Sequence, residues 1–299
     1  MKRNLAVVRA RLNGAGWFRY DSPVGNPFIC FADDAVSLRV FASSYLEVAE
    51  IQIAKLWLQP SDLCIDVGAN VGVMSAAFAS AVGNTGRVLA LEPSPATFAR
   101  LSDAIRHLRL ENVTPIACCA SDHEGVTEFY VSTTADPEEE SIRVSEARLE
   151  QFRRTVVTCA RLDHLHGRMG EFRAPALIKV DVEGAEPLVL KGAEQFVGGI
   201  APPLVIVELQ RRTLLNHGFE PADVLRHFPE DRFDRFIIPR SVSDQIPGRL
   251  HGHIYRLENE QNLPLYSNLI AVPCVGEFAN RSDFIRTSLP SVTSTVMAP

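Results

Sequence analysis

Hydrophobic positions along this chain fall into short blocks that alternate between two periods. Leu63, Cys64, Ile65, Asp66 and Val67 are apolar on both faces except for one acid, the pattern of a strand covered on both sides of a sheet. The block stops at Gly68, and VGVMSAAFASAV then continues as an apolar, Ala-rich helix. The alternation recurs downstream. GRVLALEP reads as the second strand and SPATFARLSDAIRHL as its helix, with Ser94 as N-cap, Pro95 at the first helical position, and Phe98, Leu101, Ile105 and Leu108 as the buried stripe. VTPIACCA predicts a third strand and VTEFYVS one arm of a hairpin. APALIKVDVEG predicts a fourth parallel strand, AEPLVLKGAEQF its helix with Pro187 in the first turn, and PPLVIVELQ a fifth strand. After residue 210, LNHGFEPADVLRHF predicts one helix, and DRFIIP and SNLIAVP two closing strands. Strands that alternate with helices in this way predict an α/β fold, a mostly parallel sheet with helices on both faces.

The flanks read differently. In FICFADDAVSLRVF the apolar positions alternate as in strands around an Asp-Asp turn, while YLEVAEIQIAKLWL places Leu46, Ala49, Ile53 and Leu56 at helical spacing. Residues 1–60 are therefore expected to form a cap packed beside the ligand site, residues 61–275 the main domain, and residues 276–299, which end in the Ser/Thr/Pro-rich SLPSVTSTVMAP, a loose tail. The polar stretch at 132–154, STTADPEEESIRVSEARLEQFRR, reads as a solvated insertion in preference to a substrate-gripping lid.

Composition narrows the function. The chain has 299 residues, 46% of them hydrophobic, which suffices for a large core. A net charge of −6 argues against a protein whose main task is holding nucleic acid, since phosphate contacts need a basic surface. Six scattered cysteines without a CxxC pair read as reduced core thiols of a cytoplasmic protein. No apolar run reaches the ~18 residues of a membrane span, and Arg9 and Arg11 interrupt the N-terminal stretch before it reaches signal-peptide length.

The loop DVGANVG carries the chemistry. A dinucleotide fingerprint needs G-x-G-x-x-G, with the middle glycine admitting a pyrophosphate. Here the glycines are spaced G-x-x-x-G, Asn70 fills the middle, and Asp66 precedes the loop within the strand. A carboxylate there disfavours a pyrophosphate and favours a cation. S-adenosylmethionine, with its ammonium, sulfonium and ribose diol, is such a ligand, and Glu92 at the end of the second strand is placed to accept both ribose hydroxyls.

Taken in order, IDVGANVG, LALEPSP, ASDHEG, VTCARLDHL, LIKVDVEGAEPLVLKGAEQF and PPLVIVELQ resemble the successive motifs of the FkbM family of S-adenosylmethionine-dependent methyltransferases, over roughly residues 38–275. The resemblance implies a Rossmann-like class I methyltransferase fold, with a seven-stranded sheet whose last strand is reversed. It also implies methyl transfer to oxygen, often a hydroxyl of a sugar or secondary metabolite. Carried over, Asp66, Gly68, Asn70 and Gly72 would line the methionine end, Glu92 the ribose, and Ser121 and Asp122 the adenine; Asp181 and Glu183 would meet cofactor and acceptor. Before the fold, the family has a glycine beside a Tyr-Glu pair, whereas here the stretch reads Ser44, Tyr45, Leu46, Glu47, so the resemblance leaves open whether Tyr45 and Glu47 contact cofactor or acceptor.

A base that takes the hydroxyl proton would assist such a transfer. Asp181 and Glu183 are the first candidates, followed by Glu208, with His123 and His164 as possible imidazoles. His164 and His166 beside Asp163 lack a complete metal-ligand set and read as surface residues, so no metal is expected. Two other readings stand beside the methyltransferase: a nicotinamide-dependent oxidoreductase, disfavoured by the loop spacing, and a cofactor-binding scaffold without catalysis. The expected partner is a small-molecule or glycan acceptor. Acceptor contacts are expected from the cap, the 132–154 insertion and the basic, aromatic stretch at 240–262, with Arg240, Arg249, His251, His253, Tyr255 and Arg256.

Overall fold

In the computed structural model the described residues are 14, 16–22, 26–43, 47–133, 140–144, 146–168, 170, 173–239, 254–258 and 263–282. At the centre lies β3 (Leu63–Val67), every residue of it buried, between β4 (Arg87–Leu91) and β9 (Pro175–Val180), both parallel to it. Beyond β4 lies β5 (Val113–Ile116), and beyond β9 lies β10 (Leu204–Gln210), again in parallel. The far edge holds β11 (Phe233–Pro239), the two-residue β12 (Tyr255–Arg256) and β13 (Tyr266–Pro273). The order is β12-β11-β13-β10-β9-β3-β4-β5. Strand β13 lies antiparallel to both β10 and β11. Apart from the short edge strand β12, this is the expected seven-stranded sheet with a reversed last strand, the Rossmann-like class I methyltransferase arrangement.

Strand β3 is followed by α3 (Val73–Val82) and β4 by α4 (Pro95–Leu108), with Ser94 at the N-cap; of the expected stripe Leu101 is fully buried, while Phe98, Ile105 and Leu108 are half-buried. Alternation along the strands separates two cores. Cys64, Val88, Leu177 and Ile206 pack with Trp57, Phe78 and Leu101 on one face. Leu63, Ile65, Val67, Val180 and Val207 pack with Val189, Leu214 and Phe228 on the other. From β3 the chain builds outward to β4 and β5, then crosses back to β9 and β10. That reversal leaves a crevice at the carboxyl ends of β3 and β9, where a ligand fits without displacing a connection.

Several local readings differ from the structure. The second half of FICFADDAVSLRVF is helical: β1 (Trp17–Asp21) and β2 (Pro27–Phe31) form a hairpin, and α1 (Ala35–Ser43) follows. Asp34 starts that helix by accepting the Ser37 N–H at 2.7 Å, a cap that outweighs the alternating pattern. This unit packs on Val71 of the glycine loop and Ala104 of α4. In α2 (Val48–Trp57) Ala49 and Ile53 are buried as expected, but Leu56 is exposed and Trp57 takes the core position, donating its indole N–H to Ala176 O at 2.7 Å.

VTPIACCA divides between β5 and β6 (Cys119–Ala120), which belongs to a separate sheet of order β6-β8-β7, built with the hairpin of β7 (Gly125–Ser132) and β8 (Phe152–Ala160). The stretch VTCA is thus strand β8, which the sequence reading did not assign. LDHLHGR forms the helix α5 (Leu162–Arg168). The single helix expected after β9 is two, α6 (Glu186–Lys191) and α7 (Glu194–Val197). They are interrupted at Gly192, whose site leaves no room for a Cβ beside Ser121 O. The helix expected after residue 210 is likewise α8 (Arg211–Asn216) and α9 (Pro221–Leu225), separated at Gly218, whose φ is 80°. Of the expected tail, residues 277–281 form a 3₁₀ turn in which the Arg281 guanidinium grips the Asp62 carboxylate; residues 283–299 lie outside the described ones. All six cysteines are free thiols.

Candidate active site

The crevice is framed by main chain. Gly68 and Ala69 donate their N–H groups to Leu91 O at 3.0 and 2.9 Å, and Asp181 N donates to Val67 O at 3.1 Å, which ties together the ends of β3, β4 and β9. Gly68 has φ 79°, and a Cβ there would stand 1.8 Å from Asp181 O, so only glycine lets these two strand ends meet. Asp66 lies beneath the loop, fully buried, and does not reach the cavity wall. Its Oδ2 accepts the Ser75 hydroxyl at 2.5 Å, and burial raises its pKa against the opposing pull of Lys179 and that hydrogen bond.

Glu92 is 7% exposed, and each of its carboxylate oxygens takes one backbone N–H: Oε2 from Asn70 at 3.0 Å and Oε1 from Ser94 at 2.9 Å. A carboxylate oxygen has two lone pairs, so each retains acceptor capacity beyond its backbone N–H. Burial pushes this carboxyl up to about 7; the two N–H bonds oppose the rise, while Glu140 and Asp66 add to it.

Across the cavity Lys179, 4% exposed, places Nζ 2.8 Å from Asp181 Oδ2 and 3.5 Å from Glu47 Oε1. Burial alone would lower its pKa, but Asp181, Glu47 and Asp66 outweigh that and raise it. Carboxylate oxygens of Asp181, Glu183 and Glu208 lie within 4.8 Å of one another, a spacing that can hold a divalent cation, and Glu208 Oε1 accepts the Tyr266 hydroxyl at 2.5 Å. Of the described non-glycine residues with positive φ, Glu47 (49°), Asn70 (50°) and Glu183 (58°) line this one cavity; Ser61 and Arg109 do not. Such backbone costs about 1–3 kcal/mol per residue and concentrates where surrounding structure fixes a functional group.

The residues expected from sequence thus separate into groups. Gly68, Asn70, Glu92, Asp181 and Glu183 meet on the cavity wall, together with Glu208. Asp66 and Gly72 serve as framework; Gly72 (φ 87°) begins α3 and leaves space for Leu101. Ser121 and Asp122 are not brought to the wall, which at that point is Cys118, Cys119 and Ala120. The pairing of β6 with β8 carries the chain away. Ser121 is buried against Gly192, and Asp122 pairs with Lys191 and His123, each at 2.9 Å. His123 and His164, the latter bound to Glu124, do not line the wall either.

Sequence reasoning missed Lys179, Phe129 and Tyr266; it leaves the role of Glu47 open, and Glu140 and Ile142 fall in the 132–154 insertion, from which it expects only acceptor contacts without naming either residue. For Lys179 a signal existed: it is a charged residue inside an otherwise apolar buried strand. Tyr45, Arg240, Arg249, His251 and His253 lie outside the described residues, while Arg256 pairs with Asp234 at 2.6 Å.

No curated protein matches the sequence. Among solved structures the fold is similar to an FkbM methyltransferase from Methylobacillus flagellatus KT, with 15% identity, TM-score 0.42, and coverage of 78% of this chain and 54% of that one. It is also similar to an rRNA methylase from Streptococcus thermophilus (11% identity, TM-score 0.41, covering 75% and 93%) and to Aeropyrum pernix fibrillarin with bound S-adenosyl-L-methionine (12%, 0.43, 86% and 94%). Likenesses this distant bear on neither substrate nor chemistry. The sequence itself matches the methyltransferase FkbM domain over residues 66–235, the span from the acid of β3 into β11 that builds the crevice. The chain belongs to the FkbM family of S-adenosylmethionine-dependent methyltransferases.

Proposed function

We propose that this protein transfers a methyl group from S-adenosylmethionine to a hydroxyl of a small-molecule or glycan acceptor, of the kind found in sugars and secondary metabolites. The observation that carries the reading is one cavity lined together by the glycine loop, Glu92, Asp181, Glu183 and Glu208. The residues fit the cofactor. Glu92 is preorganised by two N–H groups, and Asn70 Oδ1 is a buried acceptor with no hydrogen-bond partner among the described residues. When bound, S-adenosylmethionine supplies an electrophilic methyl group.

The protein's part is to bind, align and manage one proton. Gly68, Asn70 and Glu92 hold the donor end, with Asp66 placing negative charge beneath the loop. At the acceptor end, Lys179 fixes Asp181, and the left-handed backbone at Glu183 turns that residue into the same space. In this reading Asp181 orients the acceptor hydroxyl and Glu183 takes its proton, because Asp181 Oδ2 already receives the Lys179 N–H. Holding the acceptor oxygen in line with the donor methyl group would supply a large part of the acceleration. The acidic wall speaks for a neutral acceptor and against a nucleic acid, whose phosphates Asp181, Glu183 and Glu208 would repel.

The test is an acceptor screen with isotopically labelled methyl donor, followed by treatment of the product with mild alkali. A labelled product that survives alkali and fragments as a methyl ether supports the reading. A methyl ester, an N-methyl product or labelled RNA would overturn it.

A further inference from the structure

One segment touches both halves of the cavity, although the sequence places it in the polar insertion. Residues 140–143 cross Tyr130 at a single antiparallel bridge, with a bend at Ile142: Tyr130 N donates to Ser141 O at 2.8 Å and Ser141 N to Tyr130 O at 3.3 Å. Glu140 and Ile142 line the cofactor cavity, while Ser141 and Arg143 line a second hollow with Arg212, Thr213 and Asn216 of α8. Glu140 is anchored by the Ser132 N–H, 3.0 Å from Oε1, and lies close enough to Glu92 for the two charges to interact. That places it at the nucleoside end of the site.

Around Ser141 lies a clamp. His217 Nδ1 is 3.1 Å from Thr213 O; a carbonyl only accepts, so Nδ1 carries the hydrogen and Nε2 is left to accept the Ser141 hydroxyl at 3.2 Å. That hydroxyl also lies 3.3 Å from Glu183 O and 3.4 Å from Val182 O. Arg143 donates to His217 O at 3.2 Å. Gly184 completes the contact, since any Cβ there would strike Thr213 O and His217 Nδ1. The segment is therefore held by the very loop that carries Glu183.

We propose that Glu140 is a cofactor-contacting residue at the nucleoside end of the site, and that Ser141 and His217 are positioning residues that hold it, in register with the Glu183 loop. The proposal rests on the cofactor reading above. It makes donor binding depend on the acceptor-side loop through a single peptide step, from Glu140 to Ser141.

Calorimetric titration with S-adenosylhomocysteine and with 5′-methylthioadenosine, which lacks the amino-acid end, tests it on the intact chain. Loss of one charge-assisted hydrogen bond predicts that Glu140→Ala weakens both ligands by the same factor, about tenfold, with Glu140→Gln intermediate. Ser141→Ala should also weaken both. The double variant should then bind no worse than Glu140→Ala alone, because Ser141 acts through Glu140; a merely structural serine would add its own loss. Wild-type affinity in Glu140→Ala, or in Glu140→Gln where the alanine variant does not fold, together with the expected loss in Glu92→Ala, overturns the proposal and leaves the cofactor reading standing. Absence of binding by the folded wild-type protein overturns both.

Discussion

The raised pKa of Glu92 makes donor binding pH-dependent in a specific direction. Its carboxyl, pushed up to about 7 by burial, must be ionised to accept both ribose hydroxyls, so proton and ligand compete. With that pKa about one-tenth of the sites are ionised at pH 6 and about nine-tenths at pH 8, so affinity for S-adenosylhomocysteine should fall about tenfold between pH 8 and pH 6. Burial is the main cause of that shift, and the charges of Glu140 and Asp66 add to it. Calorimetry at half-unit intervals in two buffers of different ionisation enthalpy would show both the affinity change and the proton released on binding. In Glu92→Gln the slope should vanish along with most of the affinity. A flat profile in the wild type refutes the reasoning. A slope that persists in Glu92→Gln also refutes it, by placing the titration elsewhere. The same shift bears on stability. A carboxyl whose folded pKa lies above its unfolded value stabilises the fold fully below about 4.5, and that contribution is lost as pH rises through about 7, so the ligand-free protein should melt lower at pH 8 than at pH 5, with Glu186, also pushed to about 7, acting in the same sense.

Other substitutions test the frame. Gly68→Ala puts a Cβ 1.8 Å from Asp181 O at φ 79°, so β3 and β9 must separate at their ends; binding of S-adenosylhomocysteine should be lost, with destabilisation of about 2 kcal/mol or more in urea unfolding, and retained binding would show that the strand ends do not need this approach. Lys179→Met removes the cation facing Asp181 and Glu47, and uncompensated buried charge of this kind costs about 3–5 kcal/mol. Thermal melting should fall accordingly and partly recover below pH 5, where the carboxylates are neutralised; an unchanged melting temperature would mean the network contributes nothing.

The parts of this protein legible in its sequence are those encoded over a few neighbouring residues. The run from Leu63 to Val67 ending at Gly68, the helix beginning at Ser94 and Pro95, and Glu92 closing an apolar strand each follow from periodicity, capping or turn chemistry acting within one element. From these the sheet could be read, and with it the placing of Gly68, Asn70 and Glu92 on one cavity. Tertiary structure decided the remainder. Asp34 turned an alternating stretch into a helix, and the pairing of β6 with β8 drew Ser121 and Asp122 off the wall. Glu47, Glu140 and Lys179 come from three distant segments, and none is marked as a partner of the others by its local sequence. Their association depends on crossing connections and on how far a hairpin reaches. Once they share a cavity, with Glu47 and Lys179 buried and Glu140 half-buried, their charges interact far more strongly than local sequence can register.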